Sequence, residues 1–152
     1  MQAGLACACL SIAQGSFLPA IAYFEKTDSD PRTMTIDFES GATVAHYAAH
    51  HGNLKFLRWL VHKYPDIPES RLSDFYNCGL VHYATRQGQL PCLMYLVESG
   101  SPLDMVDRFG YSALDYALVY KRLYCFIYLY FRCRFTQVNN DLVSNIVDSL
   151  LS

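Results

Sequence analysis

The sequence of 152 residues carries little charge, and that charge is nearly balanced. Twelve Lys and Arg residues stand against fourteen Asp and Glu residues, so the net charge is −2 and charged residues make up 17% of the chain. A chain without a basic field does not attract phosphate backbones, so we expect no nucleic-acid partner. The hydrophobic fraction of 52% is much higher than that of disordered segments, so we expect one folded domain over residues 1–152.

The sequence also lacks the short motifs of common catalytic and phosphate-binding sites. It contains no G-x-S-x-G, no G-x-G-x-x-G and no G-x-x-x-x-G-K-[ST] segment. Cys7 and Cys9 are too close to form a C-x-x-C pair. His46 and His50 have the i, i+4 spacing of helical zinc ligands, but no Glu lies between them as in H-E-x-x-H. We therefore expect no enzymatic activity, no cofactor and no bound metal.

The first 24 residues contain no charged side chain, which makes a signal peptide or a membrane span the alternative to a folded segment. However, no Lys or Arg precedes Lys26, and polar or helix-breaking residues interrupt the apolar run between Gln14 and Pro19. The six cysteines lie scattered in apolar stretches, and no Asn-x-Ser/Thr acceptor site occurs. These features favour an intracellular protein, cytoplasmic or nuclear, with reduced thiols and no membrane span.

Three copies of one sequence unit are present. They are GATVAHYAAHHG followed by LKFLRWLV, CGLVHYATRQG followed by LPCLMYLVESG, and YSALDYALVYK followed by LYCFIYLYF. His46, His82 and Asp115 occupy equivalent positions, 36 and 33 residues apart, and each precedes a Tyr-Ala pair. A period in the thirties is typical of a solenoid, in which stacked units cover the apolar faces that one helix pair leaves open.

The copies resemble ankyrin repeats, whose signature is a T-P-L-H-like tetrapeptide, an Ala pair, a Gly and a Leu-rich second helix. The tetrapeptides here are TVAH at 43–46, GLVH at 79–82 and SALD at 112–115. The resemblance implies an all-α ankyrin-repeat solenoid of stacked helix-turn-helix units with short hairpin loops. It divides the chain into a degenerate first repeat at 4–32, repeats at 38–68, 74–104 and 107–134, and a C-terminal capping helix at 141–151.

Glycines and alanines predict how each unit is built. Gly52 and Gly88 follow the first helices of their units, and glycine adopts a left-handed helix cap without steric cost. Lys121 takes this place in the third unit, so we expect a looser turn there. Alanines such as Ala48 should lie where neighbouring first helices approach closely.

The resemblance also implies where a partner protein would bind. Ankyrin repeats usually grip partners with the hairpin tips before the tetrapeptide and with two exposed positions before the Gly, which together line a concave groove. These positions are Glu39, Ser40, Ala42, His50 and His51 in one copy, Phe75, Tyr76, Cys78, Arg86 and Gln87 in the next, and Arg108, Phe109, Tyr111, Val119 and Tyr120 in the last.

We predict partner contacts at all of these positions except Ala42, Cys78 and Val119. The set includes five aromatic residues and two arginines, which are enriched in protein hot spots. The alternative for Phe75 and its neighbours at the tips is that they fold back onto the adjacent hairpin.

Two functions fit this sequence. One is a non-catalytic protein–protein interaction module that binds a partner protein through the concave groove and the hairpin tips. The alternative is a structural subunit permanently built into a larger multiprotein assembly. The uncharged N-terminal residues favour the second slightly, because an assembly would bury them, as it would the aromatic side chains crowded at 111–135. Packing beneath the C-terminal helix is the simpler explanation for the aromatic residues of the second helix in that copy.

Overall fold

Eight helices and three short hairpins make up the part of the chain that the structure, a computed structural model, describes: residues 3–68 and 72–133. The elements are α1 (Ala3–Ala13), α2 (Leu18–Thr27), β1 (Thr35–Asp37), β2 (Ala42–Thr43), α3 (Val44–His51), α4 (Leu54–Lys63), α5 (Leu80–Arg86), α6 (Leu90–Glu98), α7 (Ala113–Val119) and α8 (Leu123–Cys133). The capping helix predicted at 141–151 lies outside these described residues.

The helices stack as successive pairs in two layers. α1, α3, α5 and α7 contact one another in chain order and form the inner layer, and α2, α4, α6 and α8 form the outer layer. This arrangement confirms the predicted all-α solenoid of stacked helix pairs. The pair α1 and α2 occupies the segment predicted as a degenerate first repeat. No helix within residues 3–68 and 72–133 has the length and apolar character needed to span a bilayer.

The inner helices pack closely because their buried faces carry small residues. Ala45, Ala48, Ala49 and Ala84 have no exposed surface. The core has two clusters, one around Phe24, Phe56 and Ala48 between the first two pairs, the other running from α3 and α4 to α8. Trp59 packs against both clusters, so the apolar core continues along the stack.

Cysteines belong to this core. Cys9, Cys78, Cys92 and Cys125 are buried. Burial raises the pKa of Cys92 to about 11, because a thiolate would be poorly solvated there. The Cys92 thiol is therefore protonated at neutral pH and packs as a small apolar side chain.

Three inner helices begin with the same capping arrangement. Each has an extended N-cap residue, and the side chain of the third helical residue accepts a hydrogen bond from the N-cap backbone N–H. The acceptor is Nδ1 of His46 for Thr43 (3.2 Å), Nδ1 of His82 for Gly79 (3.1 Å) and Oδ2 of Asp115 for Ser112 (2.9 Å). The tetrapeptide motif thus defines where each inner helix begins.

The inner helices also end alike, and here one prediction is wrong. Gly52 and Gly88 have the predicted left-handed backbone, with φ of 69° and 71°. Lys121 adopts the same conformation, with φ of 55°, instead of a looser turn. Its N–H donates to Leu118 O at 3.2 Å, as the N–H of Gly88 donates to Thr85 O at 3.0 Å. Backbone hydrogen bonds therefore hold the third turn in a shape that its side chain disfavours.

The residue directly after each turn donates a side-chain hydrogen bond that ties its helix pair to the preceding one. Asn53 Nδ2 donates to Ile12 O (3.1 Å) and to Ser16 O (2.9 Å). Gln89 Nε2 donates to His50 O (3.1 Å), and Arg122 Nε donates to Arg86 O (3.0 Å). These side chains fix the relative position of successive inner helices.

Candidate functional site

Three hairpins border the inner helices on one side, at residues 35–43, 73–79 and 106–112. Backbone hydrogen bonds join their tips: Phe75 N–H donates to Ser40 O, and Arg108 N–H donates to Tyr76 O, both at 2.7 Å. The tips therefore form a connected row, which holds their side chains at a repeating spacing.

A buried aspartate organises each of the second and third hairpins. Asp74 Oδ1 accepts from the N–H groups of Tyr76 and Cys78, both at 2.9 Å, and its Oδ2 accepts from the Tyr83 hydroxyl at 2.7 Å. The Asp74 carboxylate therefore joins the second hairpin to α5, the inner helix that follows it.

The third hairpin repeats this pattern. Asp107 Oδ1 accepts from the N–H groups of Phe109 and Tyr111, and its Oδ2 accepts from the Tyr116 hydroxyl at 2.6 Å. Burial opposes the charge of Asp107, but these hydrogen bonds outweigh it and lower its pKa. The carboxylate is thus ionised at neutral pH.

A concave groove of about 700 Å³ runs between the hairpins and the inner helices. Tyr47, Tyr83 and Tyr116, which are equivalent residues of α3, α5 and α7, contribute one ring from each unit. Because consecutive units supply its walls, the groove is one continuous surface.

The structure brings seven of the twelve predicted contact residues into the lining of this groove: Ser40, His50, Tyr76, Arg86, Phe109, Tyr111 and Tyr120. The three family positions that were left out of the predicted contacts, Ala42, Cys78 and Val119, line it as well. Its remaining walls are Ile36 and Asp37 on the first hairpin, the two buried aspartates, the three tyrosines, and His82.

The other five predicted residues, Glu39, His51, Phe75, Gln87 and Arg108, are not among the residues that line the groove. His51 packs edge to face against Tyr47, with ring centroids 4.3 Å apart. Phe75 lies against the preceding hairpin, since a Cβ added at Gly41 would come within 2.6 Å of its ring. The Phe75 side chain is nevertheless 69% exposed, so it leans on the hairpin without being buried there.

The histidines of the groove are neutral at pH 7. Burial lowers the pKa of both His50 and His82. Since His82 Nδ1 accepts from Gly79 N–H, its proton is on Nε2, which donates to Tyr111 O at 3.1 Å. His82 thus links an inner helix to the next hairpin.

Sequence reasoning missed the aspartates and the tyrosines bonded to them. In both units the aspartate precedes its tyrosine by nine residues, and this spacing recurs with the period of the repeat. The recurrence was visible in the sequence. Phe38 takes the aspartate's place in the first hairpin and is 83% exposed, so that hairpin lacks the bond.

The three histidines of α3 do not converge. His46 is buried, its Nδ1 accepts from Thr43 N–H, and its Nε2 has no hydrogen-bond partner within the described part of the chain. The rings of His50 and His51 meet edge to face, with 4.8 Å between their centroids. Among residues 3–68 and 72–133, no group of three His, Cys, Asp or Glu side chains could hold a metal ion.

Stacked helix pairs with hairpin tips beside a concave groove define this protein as an α-helical solenoid of the repeat-protein class. The family model for ankyrin repeats in many copies matches residues 81–129, and the model for the ankyrin repeat matches residues 40–70, so the two together cover more than half of the chain. The chain belongs to the ankyrin-repeat family. Ankyrin repeats are generally protein–protein interaction modules without catalytic activity.

A curated relative agrees with this assignment. Ankyrin repeat domain-containing protein 37 of Xenopus tropicalis is 34% identical over 89 residues, which are 59% of this chain and 53% of that protein. The chain thus matches about half the length of that relative.

Proposed function

We propose that this chain is a non-catalytic interaction module that binds a partner protein in the concave groove. The observation that carries the proposal is the continuity of the groove: three successive units line one surface of about 700 Å³ with aromatic side chains. Aromatic residues give large contact areas, and the tyrosine hydroxyls can be satisfied at a buried interface.

Four side chains are the anchors of this proposal. Tyr76, Phe109 and Tyr120 are 40%, 71% and 39% exposed, and Arg86 is exposed beside them. The Arg86 guanidinium lies over the Tyr120 ring, 5.3 Å from its centroid, which orders both side chains before a partner arrives. Preordered side chains lose less conformational entropy on binding.

The experiment identifies the partner by crosslinking in cell extract and then measures its affinity for single Ala variants of the four anchors. Each truncation should weaken binding by more than about 1 kcal/mol, and by more than about 2 kcal/mol at the centre of the interface. Lys55→Ala and Glu98→Ala, two exposed residues of the outer layer, are the controls. Circular dichroism should show unchanged helicity in all six variants. Controls that weaken binding while the anchors do not would place the partner on the outer face.

A second candidate, a permanent subunit of an assembly, is favoured by the outer face of α8. Leu123, Tyr124, Ile127 and Phe131 are exposed there, and the last three line an apolar depression of about 460 Å³ with residues of α6. Apolar surface of this kind is typical of an interface. A sizing column run on the isolated chain tests this function, because a subunit deprived of its partners should self-associate while an adaptor should elute as a monomer.

A further inference from the structure

We propose that the groove selects a positively charged segment of its partner, in which Lys or Arg side chains are interspersed with apolar residues. This inference rests on the proposed function and specifies the chemistry of the partner. It comes from the charges of the groove, from the predominance of hydrogen-bond acceptors in it and from its aromatic faces.

Carboxylates outnumber cations in the groove. Asp37, Asp74 and Asp107 line it with only one guanidinium, that of Arg86, and its histidines are neutral. The formal charge of the lining is therefore −2. A cleft with low-dielectric walls concentrates the field of its excess charge, so these carboxylates act on a ligand although Asp74 and Asp107 are buried.

The polar groups of the groove mainly offer acceptors. The hydroxyl protons of Tyr83 and Tyr116 are already donated to Asp74 and Asp107, so neither hydroxyl can donate to a partner, and the Tyr116 oxygen also lies within hydrogen-bond distance of Cys78 Sγ, at 3.1 Å. Asp37 is exposed, and its carboxylate accepts from Glu39 N–H and the Ser40 hydroxyl of its own hairpin. An ammonium or guanidinium group, which only donates, matches these acceptors better than a carboxylate does.

Aromatic rings provide the remaining contact for a cation. The rings of Tyr47, Tyr83 and Tyr116 line the groove along its length, and Tyr76 and Phe109 border it at the tips. Arg86 over Tyr120 shows that a guanidinium already packs on a ring in this environment. A partner cation between such rings and the aspartates gains attraction from both.

The test uses two fluorescein-labelled synthetic peptides of about eight residues, a length that spans three units stacked about 8–10 Å apart. Both contain Leu and Gly at the same positions, with Lys and Arg in the basic peptide replaced by Glu and Asp in the acidic one. Fluorescence anisotropy should give at least about tenfold tighter binding of the basic peptide at low salt, and added salt should reduce the difference.

Asp37→Asn removes one groove charge and retains an oxygen for the hairpin hydrogen bonds. This substitution should lower the affinity for the basic peptide a few-fold. The control Glu98→Gln makes the same change of charge on the outer layer and should leave the affinity for the basic peptide unchanged. Equal affinity for both peptides, tighter binding of the acidic peptide, or no binding of the basic peptide at about millimolar concentration would overturn the inference.

Tyr76→Ala distinguishes failure of this inference from failure of the proposed function. If Tyr76→Ala weakens both peptides and their affinities are equal, the groove binds a partner without selecting charge, and only the inference fails. If Tyr76→Ala changes the affinity of neither peptide, the binding measured is outside the groove and the proposed function fails as well.

Discussion

Lys121 occupies a turn that suits glycine, and its replacement by glycine should stabilise the protein. The equivalent residues Gly52 and Gly88 have φ of 69° and 71°, and Lys121 has φ of 55°. Its side chain is exposed. Lys121→Gly therefore relieves a left-handed conformation without removing a core contact.

The size of the effect follows from two opposing contributions. A left-handed backbone costs an L-residue about 1–2 kcal/mol, which glycine does not incur. Glycine loses more backbone freedom on folding, which costs about 0.5–1 kcal/mol. Lys121→Gly should therefore raise the free energy of unfolding by about 0.5–1 kcal/mol, an increase of about 1–4 °C in Tm for a chain of this size.

Urea unfolding followed by circular dichroism measures this difference. The control is Gly88→Ala, which makes the reverse change, from glycine to an L-residue, at an equivalent turn. Gly88 has the same left-handed backbone, and a Cβ there would also come within 3.0 Å of Arg122 Cδ, so Gly88→Ala should lose about 1 kcal/mol or more. The reasoning is refuted if Lys121→Gly lowers the free energy of unfolding while Gly88→Ala leaves it unchanged, because the left-handed turn would then not limit stability.

Two further predictions concern the core. Ala48 is fully buried between inner helices, so Ala48→Leu should overpack that contact and cost about 1–3 kcal/mol; an unchanged thermal unfolding curve would contradict close stacking. Burial lowers the pKa of His46 to about 4, below about 6.5 in the unfolded chain, so the unfolded chain takes up the proton first as pH falls. The stability due to neutral His46 is thus complete above pH 6.5 and declines towards pH 4, by about 2 kcal/mol between pH 7 and 5. Urea midpoints across this range should fall in the wild type and less in His46→Gln, and parallel profiles would exclude His46 as the cause.

Much of the fold could be predicted from the sequence because repetition makes its signals visible. The tetrapeptides mark inner-helix starts through local capping, and Gly52 and Gly88 mark helix ends, so both features depend on residues close together in the chain. The ties between units could not be predicted in this way. Asn53, Gln89 and Arg122 form them from equivalent sequence positions, directly after each turn, but with three chemically different side chains, so the residue type gives no recurring signal.

The groove was predictable in part for a similar reason. Positions carried over from the family located side chains of the rim such as Tyr76 and Phe109, because the hairpin tips recur at constant offsets from the tetrapeptide. The distance of a residue from the tetrapeptide does not, however, predict the direction in which its side chain points. Phe75 precedes Tyr76 directly and leans towards the previous hairpin, where Gly41 leaves room for its ring, and so it does not line the groove.

The last unit departs most from the repeat pattern in sequence, yet its local chemistry is equivalent. Asp115 caps α7 with a carboxylate oxygen where His82 uses a ring nitrogen, and Lys121 makes the turn that Gly88 makes elsewhere. These structural functions are carried by side chains and backbone groups that leave the rings of Phe109 and Tyr120 exposed at the rim. No described hydrogen bond of the fold depends on those two rings. The Tyr120 ring contacts Tyr116 and Arg86, but the Phe109 ring is 71% exposed, and this exposed aromatic surface at the rim supports a role in binding a partner.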